Sequence, residues 1–586
     1  MVLDDPMDFM NYELKYVKTE GGLGWFSCLP AKDTQVMEAV QYLQNHPNDD
    51  FMHKYLLDLL GESDEHELEK LIDEGKRGNF LLLASTYEAS VLFTKFHYLQ
   101  KKFEDVDVPN LTNYTPSIYI KWALDKNYLS RRFWMRVFSD NIYGHRPLPS
   151  LEDIEFPVPP SLNLQNASEA GKKVVHIRDV WSKSSRTSLN TGTSLRIVPP
   201  KETVKKALDT LAAHNVLTAW ETRTESSLSP YGLERVWNVD VKVSIGRNNL
   251  RLRGSQKSYG KGLKIHQARA SYLMETVERC SAFSSFCHGQ AIGYKKEFNL
   301  VKSSYTDLRH KGLNVLDPNT IGLEIPYENQ ELYWIVADQM DKNGSHKIYV
   351  PAQFVFLFCN LDEISLTTGI TSNGLASGNT MDEAKLHALL EYIERDSEKI
   401  GFWSQERCFL LETEEPAVGD ILSSCKKKGI HIQFLDMTPD FGVPCYKAFV
   451  KTITGGILKG CGAHLDGKIA AVRALTELAY PYPYWCGSIP APKEIKTAYY
   501  EELPNYSSGN VSQDLDTLER LLIMNNFHPI YVDLTRKDLD IPVVKVIIPG
   551  LEMMPVLDRF SNFNERLFIN YLKTLKSKRT GEKGNV

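Results

Sequence analysis

The stretch that most constrains this chain is residues 371–399, TSNGLASGNTMDEAKLHALLEYIERDSEK. It opens as a loop of small residues and continues as a helix carrying Glu383, His387, Glu391 and Glu394 at offsets 0, 4, 8 and 11. At about 100° per residue these four share an arc of roughly 80°. Leu386, Leu389, Leu390 and Ile393 fill most of the remainder, so the helix has one apolar and one acidic face. A lone helix of this kind reads as a solvated face, with Glu391 and Arg395 as an ordinary i,i+4 pair worth ~0.2–0.5 kcal/mol.

The sequence holds relatives of that helix. A shift of 116 residues overlays QARASYLMETVER, from Gln267 to Arg279, on EAKLHALLEYIER, from Glu383 to Arg395; a further shift of 86 reaches IAAVRALTELAY, which starts at Ile469. Each copy has an Ala seven residues before a Glu and a Leu two before it: Ala268, Leu273, Glu275; Ala384, Leu389, Glu391; Ala470, Leu475, Glu477. In projection the Leu lies about 160° from the Glu and the Ala about 20° from it. The Leu is expected to anchor in the core and the Ala to leave space on the carboxylate face. Two copies contain E-x-x-E-R, with glycines in corresponding positions at Gly260 and Gly262 and at Gly378. Three acidic helices are therefore expected to converge on one site.

Carboxylates three residues apart repel, more strongly when desolvated. Glu275 with Glu278 and Glu391 with Glu394 on facing helices call for cations, and hard oxygen ligands without thiolates select Mg2+, which keeps waters and shares substrate phosphates. Arg279, Arg395 and Arg473 then brace the carboxylates or reach those phosphates. This pattern points to a Mg-nucleotide site. Gly260-Lys261-Gly262 lacks Walker spacing and Gly460-x-Gly462 is no dinucleotide fingerprint, so the nucleotide is held in another way. A di-iron carboxylate bundle, and with it a metal-carboxylate redox enzyme, is the remote rival; it wants Glu-x-x-His pairs, whereas Glu383 and His387 are four apart.

A chain of 586 residues exceeds one compact core. A helical N-terminal domain is expected over 1–145, with helical spacing from Gln35 to about Ile142. A Pro- then Ser/Thr-rich linker follows over 146–194, including Pro147 to Pro160, Ser182 to Ser194, and a strand over Val174 to Val180. The body, 195–575, alternates helices (Val204 to His214) and strands (Val236 to Ile245, Leu250 to Leu252), giving an α+β, mixed α/β class. A basic tail covers 576–586. The net charge of −6 argues against a nucleic-acid scaffold. The acidic start and short apolar runs give no signal peptide or membrane span, so a cytoplasmic protein is expected. Nine scattered cysteines without a C-x-x-C pair indicate neither a disulfide framework nor a thiolate zinc site, and Cys280 and Cys287 are expected to be buried thiols.

Several motifs in order resemble the YcaO family of ATP-dependent peptide-backbone-modifying enzymes, over about residues 195–575. They are Ser271-x-x-x-Glu275-x-x-Glu278-Arg279 after Gly260-Lys261-Gly262; Ser372-Asn373-Gly374-Leu375-Ala376 through Asn379, Glu383-Ala384, His387, Glu391 and Glu394-Arg395-Asp396; Arg473-Ala474-Leu475-Thr476-Glu477; and the closing Val543 to Glu552. The resemblance says nothing about residues 1–185.

It implies that Mg2+ is held by Glu275, Glu278, Glu391 and Glu394. It implies ATP contacts from Ser271, Asn379, Glu383, His387, Arg395 and Arg473, with Arg279 as brace or phosphate ligand and Lys201 in a position like the family's early lysine. It also implies a nucleophile adding to a peptide carbonyl and phosphorylation of the amide oxygen so that it can leave, a step in which a protein supplies positioning and charge neutralisation. A peptide or protein substrate and a homodimer follow from it. Azoline-forming members end in a proline-rich tail, whereas the last proline here is Pro555 and the chain closes KSKRTGEKGNV. That argues against Cys/Ser/Thr cyclodehydration and leaves thioamidation with a sulfur-delivering partner, or an accessory ATP-binding role beside a ribosomal-protein methylthiotransferase. Tyr480 follows Glu477 where many relatives carry glutamine.

Overall fold

The structure is a computed structural model and describes residues 9–18, 24–126, 128–150, 154, 174–184, 198–224, 227–369, 371–481, 487–553, 556–562 and 565–582. It is mixed α/β, as expected: helices over three sheets. Among the described residues no helix is long and apolar enough to cross a membrane.

The first described elements are strands, β1 (Met10–Lys18) and β2 (Gly24–Pro30), ahead of the helical spacing that begins at Gln35 and within the 1–145 region expected to be mainly helical. Helices α1 (Val36–Asn45), α2 (Asp50–Glu62), α3 (Glu65–Lys76) and α4 (Phe80–Leu92) follow. β1 alternates, burying Tyr12 and Leu14, and pairs in parallel with a strand more than 200 residues away: Met10 opposes Leu250 and Leu14 opposes Gly254. The N-terminal region thus shares a sheet and a hydrophobic core with the body.

After helix α5 (Tyr128–Ile142), most of the expected linker lies outside the described residues. Within it, Ile177–Ser184 is a helix, not the strand expected at Val174 to Val180: Ile177 and Val180, three apart on one helical face, are both buried. The body begins with α6 (Pro200–Ala213).

Three sheets follow. The eight-stranded one runs β2-β1-β4-β3 into the short strands Ser285–Cys287, Gln290–Ile292 and Phe298–Asn299, where β3 is Tyr231–Ile245 and β4 is Asn248–Gly262. Helix α7 (Ile265–Ala282) packs on β4 and β3. The six-stranded sheet has β5 (Leu332–Asp341), β6 (Gly344–Pro351), β7 (Leu375–Ser377) and two late strands, and carries α8 (Met381–Ile400) against β7. The five-stranded sheet contains β8 (Cys408–Glu412), β9 (Gln433–Asp436), β10 (Cys445–Lys451) and β11 (Ile457–Ala463), with α9 (Gly467–Glu477) packed on β11 and β10. Helix α10 (Val511–Met524) and strands β12 (Ile530–Asp533) and β13 (Val543–Ile547) complete the second sheet's layer. The last helix, α11 (Glu565–Glu582), runs through most of the expected basic tail.

The three sequence-related helices therefore lie on three different sheets. Their shared Ala serves packing and does not open the acidic face. Ala268, Ala384 and Ala470 are completely buried, and each meets a glycine. A Cβ on Gly260 would stand 2.0 Å from the Ala268 carbonyl, on Gly378 2.4 Å from the Ala384 nitrogen, and on Gly462 2.3 Å from the Ala470 carbonyl. These distances are below contact, so the helix backbone can come this close only because Gly260, Gly378 and Gly462 carry no Cβ. Leu273, Leu389 and Leu475 are buried core anchors, as expected.

Candidate active site

Each of the three helices is fixed by its apolar face, and each turns a polar edge into the same space. Ser271, Glu275, Glu278 and Arg279 of α7, Glu391, Glu394 and Arg395 of α8, and Arg473 and Glu477 of α9 all line one cleft of about 1900 Å3. The carboxylates are oriented from behind. Glu275 accepts from the Tyr259 amide at 2.8 Å and from Arg279 at 3.4 Å. Glu278 accepts from both the amide and the hydroxyl of Ser377 at 3.0 Å, which links α7 to the strand before α8. Glu394 accepts from the Ala463 amide at 3.1 Å.

Burial, and then the charges around them, shift the acids. Burial, with repulsion from Glu391 and Glu275 and against the pull of Arg279, pushes the Glu278 carboxyl up to about 8. Burial raises Glu275 and Glu391 as well, although Arg279 and Arg395 oppose it. Burial would deprotonate Arg395, but Glu394 and Glu391 outweigh it and hold the guanidinium above its usual value. Burial also acts on Glu477, yet Lys261, with a 2.8 Å ion pair, and then Arg473 and Arg395 bring its carboxyl below the ordinary range.

The donor set fits Mg2+: hard carboxylate oxygens, with Glu278 at about 8 holding a proton at neutral pH that a dication would displace. Among the described residues no three His, Cys, Asp or Glu side chains form a ready-made metal cage. Separate backbone hydrogen bonds hold Glu275, Glu278 and Glu394 in place. That is consistent with an ion taking one or two carboxylates and completing its shell with phosphates and water.

A pH dependence follows. In the metal-free protein Glu278 keeps its proton to about pH 8, whereas the unfolded chain releases it near 4.5. The folded state binds more protons across that window, so this group's contribution to stability is full below it and declines as pH rises through it. Binding a dication reverses the preference. Titration of Mg-ATP by calorimetry in buffers of differing ionisation enthalpy is expected to show net proton release near pH 7 that vanishes above about pH 9.

Four of the expected residues do not line the cleft. Asn379 and Glu383 bind each other at the start of α8: the Asn379 amide and side-chain nitrogen donate to Glu383 Oε2 at 2.9 and 3.0 Å, and Thr203 of α6 donates to Asn379 Oδ1 at 3.1 Å. Thr380 caps the same turn through the Glu383 amide. His387 is half-buried, and Lys201 is exposed at the first turn of α6. Glu477, the carboxylate of the third helix, lines the cleft as expected, and Lys261, Glu398 and Lys459 line it without an assigned role. Lys261 and Glu477 sit inside quoted motifs, but their pairing spans 216 residues. Lys459, paired with Glu398, had no signal, because its place follows from the pairing of β10 with β11.

The thiols are unremarkable. Cys280 and Cys287 are half-buried rather than buried, and the eight described cysteines are free.

The sequence profile of the YcaO cyclodehydratases, an ATP- and Mg2+-binding family, matches residues 259–485 and 481–552, half of the chain. The chain belongs to the YcaO family. ATP and Mg2+ are accordingly the cofactors of this YcaO protein. It is 31% identical over 337 residues to an uncharacterized protein of Methanothermobacter thermautotrophicus, covering 51% of this chain and 82% of that one. It is 37% identical over 264 residues to an uncharacterized protein of the tfuA 3′ region of Rhizobium leguminosarum bv. trifolii, covering 42% of this chain and 58% of the relative. Among solved structures it is similar to a heterocyclase in complex with substrate and cofactor (19% identity, 62% of this chain, 54% of that one, TM-score 0.48). It is also similar to YcaO from Methanopyrus kandleri bound with AMPPCP and Mg2+ (21% identity, 63% and 96%, TM-score 0.45).

Proposed function

We propose that this YcaO protein uses Mg-ATP to activate a backbone amide of a peptide or protein by phosphorylating the amide oxygen. A nucleophile adds to the carbonyl carbon, and the resulting oxyanion takes the γ-phosphoryl group of ATP, releasing ADP. The C–O bond then breaks, inorganic phosphate departs with the former amide oxygen, and a proton is released. With sulfide the product is a thioamide; with a neighbouring Cys, Ser or Thr side chain it is an azoline. Oxide is too poor a leaving group for direct expulsion, which is why the phosphoryl group is needed. Mg2+ would neutralise phosphate charge from a site held by Glu275, Glu278, Glu391 and Glu394. Arg279, Arg395, Arg473 and Lys261, which line the same cleft, would orient the phosphates. Ser271, which also lines the cleft, is assigned to the rest of the nucleotide.

The observation that supports this reading is that two helices more than 100 residues apart deliver four carboxylates, with three arginines among them, to one cleft. The test uses a candidate peptide, encoded next to this gene, labelled with 18O at its amide carbonyls. Incubated with Mg-ATP and a nucleophile, it is expected to yield phosphate carrying one 18O. Unlabelled phosphate, or ATP consumption indifferent to peptide, favours the accessory, non-catalytic role. The Rhizobium relative's position beside tfuA makes the product of that gene the first partner to add.

A further inference from the structure

The cleft has a second wall that the family match does not reach. Small-molecule sites occupy roughly 300–1000 Å3, so a cleft of about 1900 Å3 has room for the nucleotide and for as much again. Residues between Tyr16 and Tyr119, all upstream of the matched 259–552, form one side of it, and residues from Thr224 to Lys257 and from Gln353 to Ser372 line the rest. This wall differs in chemistry from the one built by α7, α8 and α9. Phe26, Phe51, Leu57, Leu92, Phe93 and Tyr119 make it mainly apolar. It has no arginine, and its lysine, Lys54, is paired with Asp50 at 2.6 Å. It therefore offers little to a phosphate. Asp58 adds an exposed carboxylate.

The wall is held rigidly to the helix carrying Glu275 and Glu278. Asp49, completely buried, accepts from Tyr12 at 2.7 Å, Tyr42 at 2.9 Å and Asn360 at 2.8 Å, while the Asp50 amide donates to Asn360 Oδ1 at 2.9 Å. Three residues earlier the Leu357 amide donates to the Ala282 carbonyl at the end of α7, and Phe358 stacks on Phe283 at 5.4 Å and 9°. Phe358 and Asn360 adopt φ of 52° and 38° to make this turn, a conformation non-glycine residues hold only when their surroundings impose it.

We propose that this N-terminal wall binds the peptide chain flanking the reacting amide, seating apolar side chains against Phe26, Phe93 and Tyr119 and a basic side chain beside Asp58. The inference rests on the amide-activation reading: an amide held at the γ-phosphate has neighbours on its chain, and the N-terminal side of the cleft is apolar and carries the exposed Asp58. Selectivity for sequence around the modified residue would then reside in the N-terminal region, and nucleotide chemistry in the family body.

The test is selection of random dodecapeptides by mRNA display against the full-length protein with Mg-AMPPCP. Enriched peptides are expected to combine apolar residues with Lys or Arg. Phe26→Ser and the surface variant Asp58→Lys are each expected to weaken them about tenfold, as loss of an interface anchor does. A benzoylphenylalanine at position 26 should crosslink the bound peptide, and one at position 220, where Trp220 is 87% exposed outside the cleft lining, should not. Failure to enrich any peptide, affinities within twofold in both variants, or equal labelling from position 220 overturns the proposal. A peptide that binds at this wall yet yields no 18O-phosphate overturns amide activation instead. Labelled phosphate from a peptide indifferent to position 26 overturns the wall alone.

Discussion

Glu391→Gln is expected to abolish measurable Mg-ATP binding while leaving the metal-free protein as stable as before or more so. The amide keeps the side chain's shape, and the packing of α8 through Leu389, Leu390 and Ile393, all buried, is untouched. What changes is charge. Burial already raises the Glu391 carboxyl, and its field helps to hold Glu278 at about 8. Removing it relieves repulsion in the empty site and removes an oxygen ligand from the filled one. Losing a group that merely orients a metal's ligands costs roughly 10–100-fold in affinity, so loss of a ligand itself is expected to cost about 100-fold or more. Calorimetric titration with Mg-AMPPCP reads the affinity, and the thermal midpoint without nucleotide reads the stability. An affinity within threefold of the parent would remove Glu391 from the metal site; a lower midpoint without nucleotide would mean that its role is in packing.

The second large effect is on stability, at the back of the same helix. Asp396 is fully buried and accepts from both terminal nitrogens of Arg566 at 2.7 and 2.8 Å and from the Glu552 amide at 2.9 Å. One turn on, Lys399 pairs with Glu552 at 2.6 Å, each side chain 4% exposed. This network ties α11 and the closing turn to α8. Asp396→Ala leaves the Arg566 guanidinium facing an apolar gap, and breaking such a pair costs about 3–5 kcal/mol, whereas replacing both partners with apolar residues costs far less. A chain of this size does not unfold in two states, so the comparison is of thermal midpoints. The single variant is expected to fall by several degrees and Asp396→Leu with Arg566→Met by less. A double variant worse than the single would show that the pair contributes net stability and is not merely costly to break.

Local patterns carried the site a long way. Alternation and helical spacing located β3, β4, α7, α8 and α9, and the Ala-Leu-Glu register predicted that three helices would share one job. Their core anchors are where the spacing put them. The register misjudged the alanines, because projection on one helix shows a face but not its partner, and the partner is a glycine strand. The acidic stripe placed Glu383 on the same face as Glu391, although Glu383 meets Asn379 at the helix start and does not line the cleft. A stripe of residues fixes direction, not distance along the cleft.

The sequence by itself determined the acidic faces, the glycines that let helix and strand touch, and the family, because each of these is written within a few turns of chain. Tertiary structure alone decided that β1 pairs with β4, that Lys261 reaches Glu477, and that Lys459 joins the site. It also decided that residues from Tyr16 to Tyr119 wall the cleft. The reason is that partners hundreds of residues apart are selected by which apolar faces can be buried together, a property of the whole packed molecule that no local window contains.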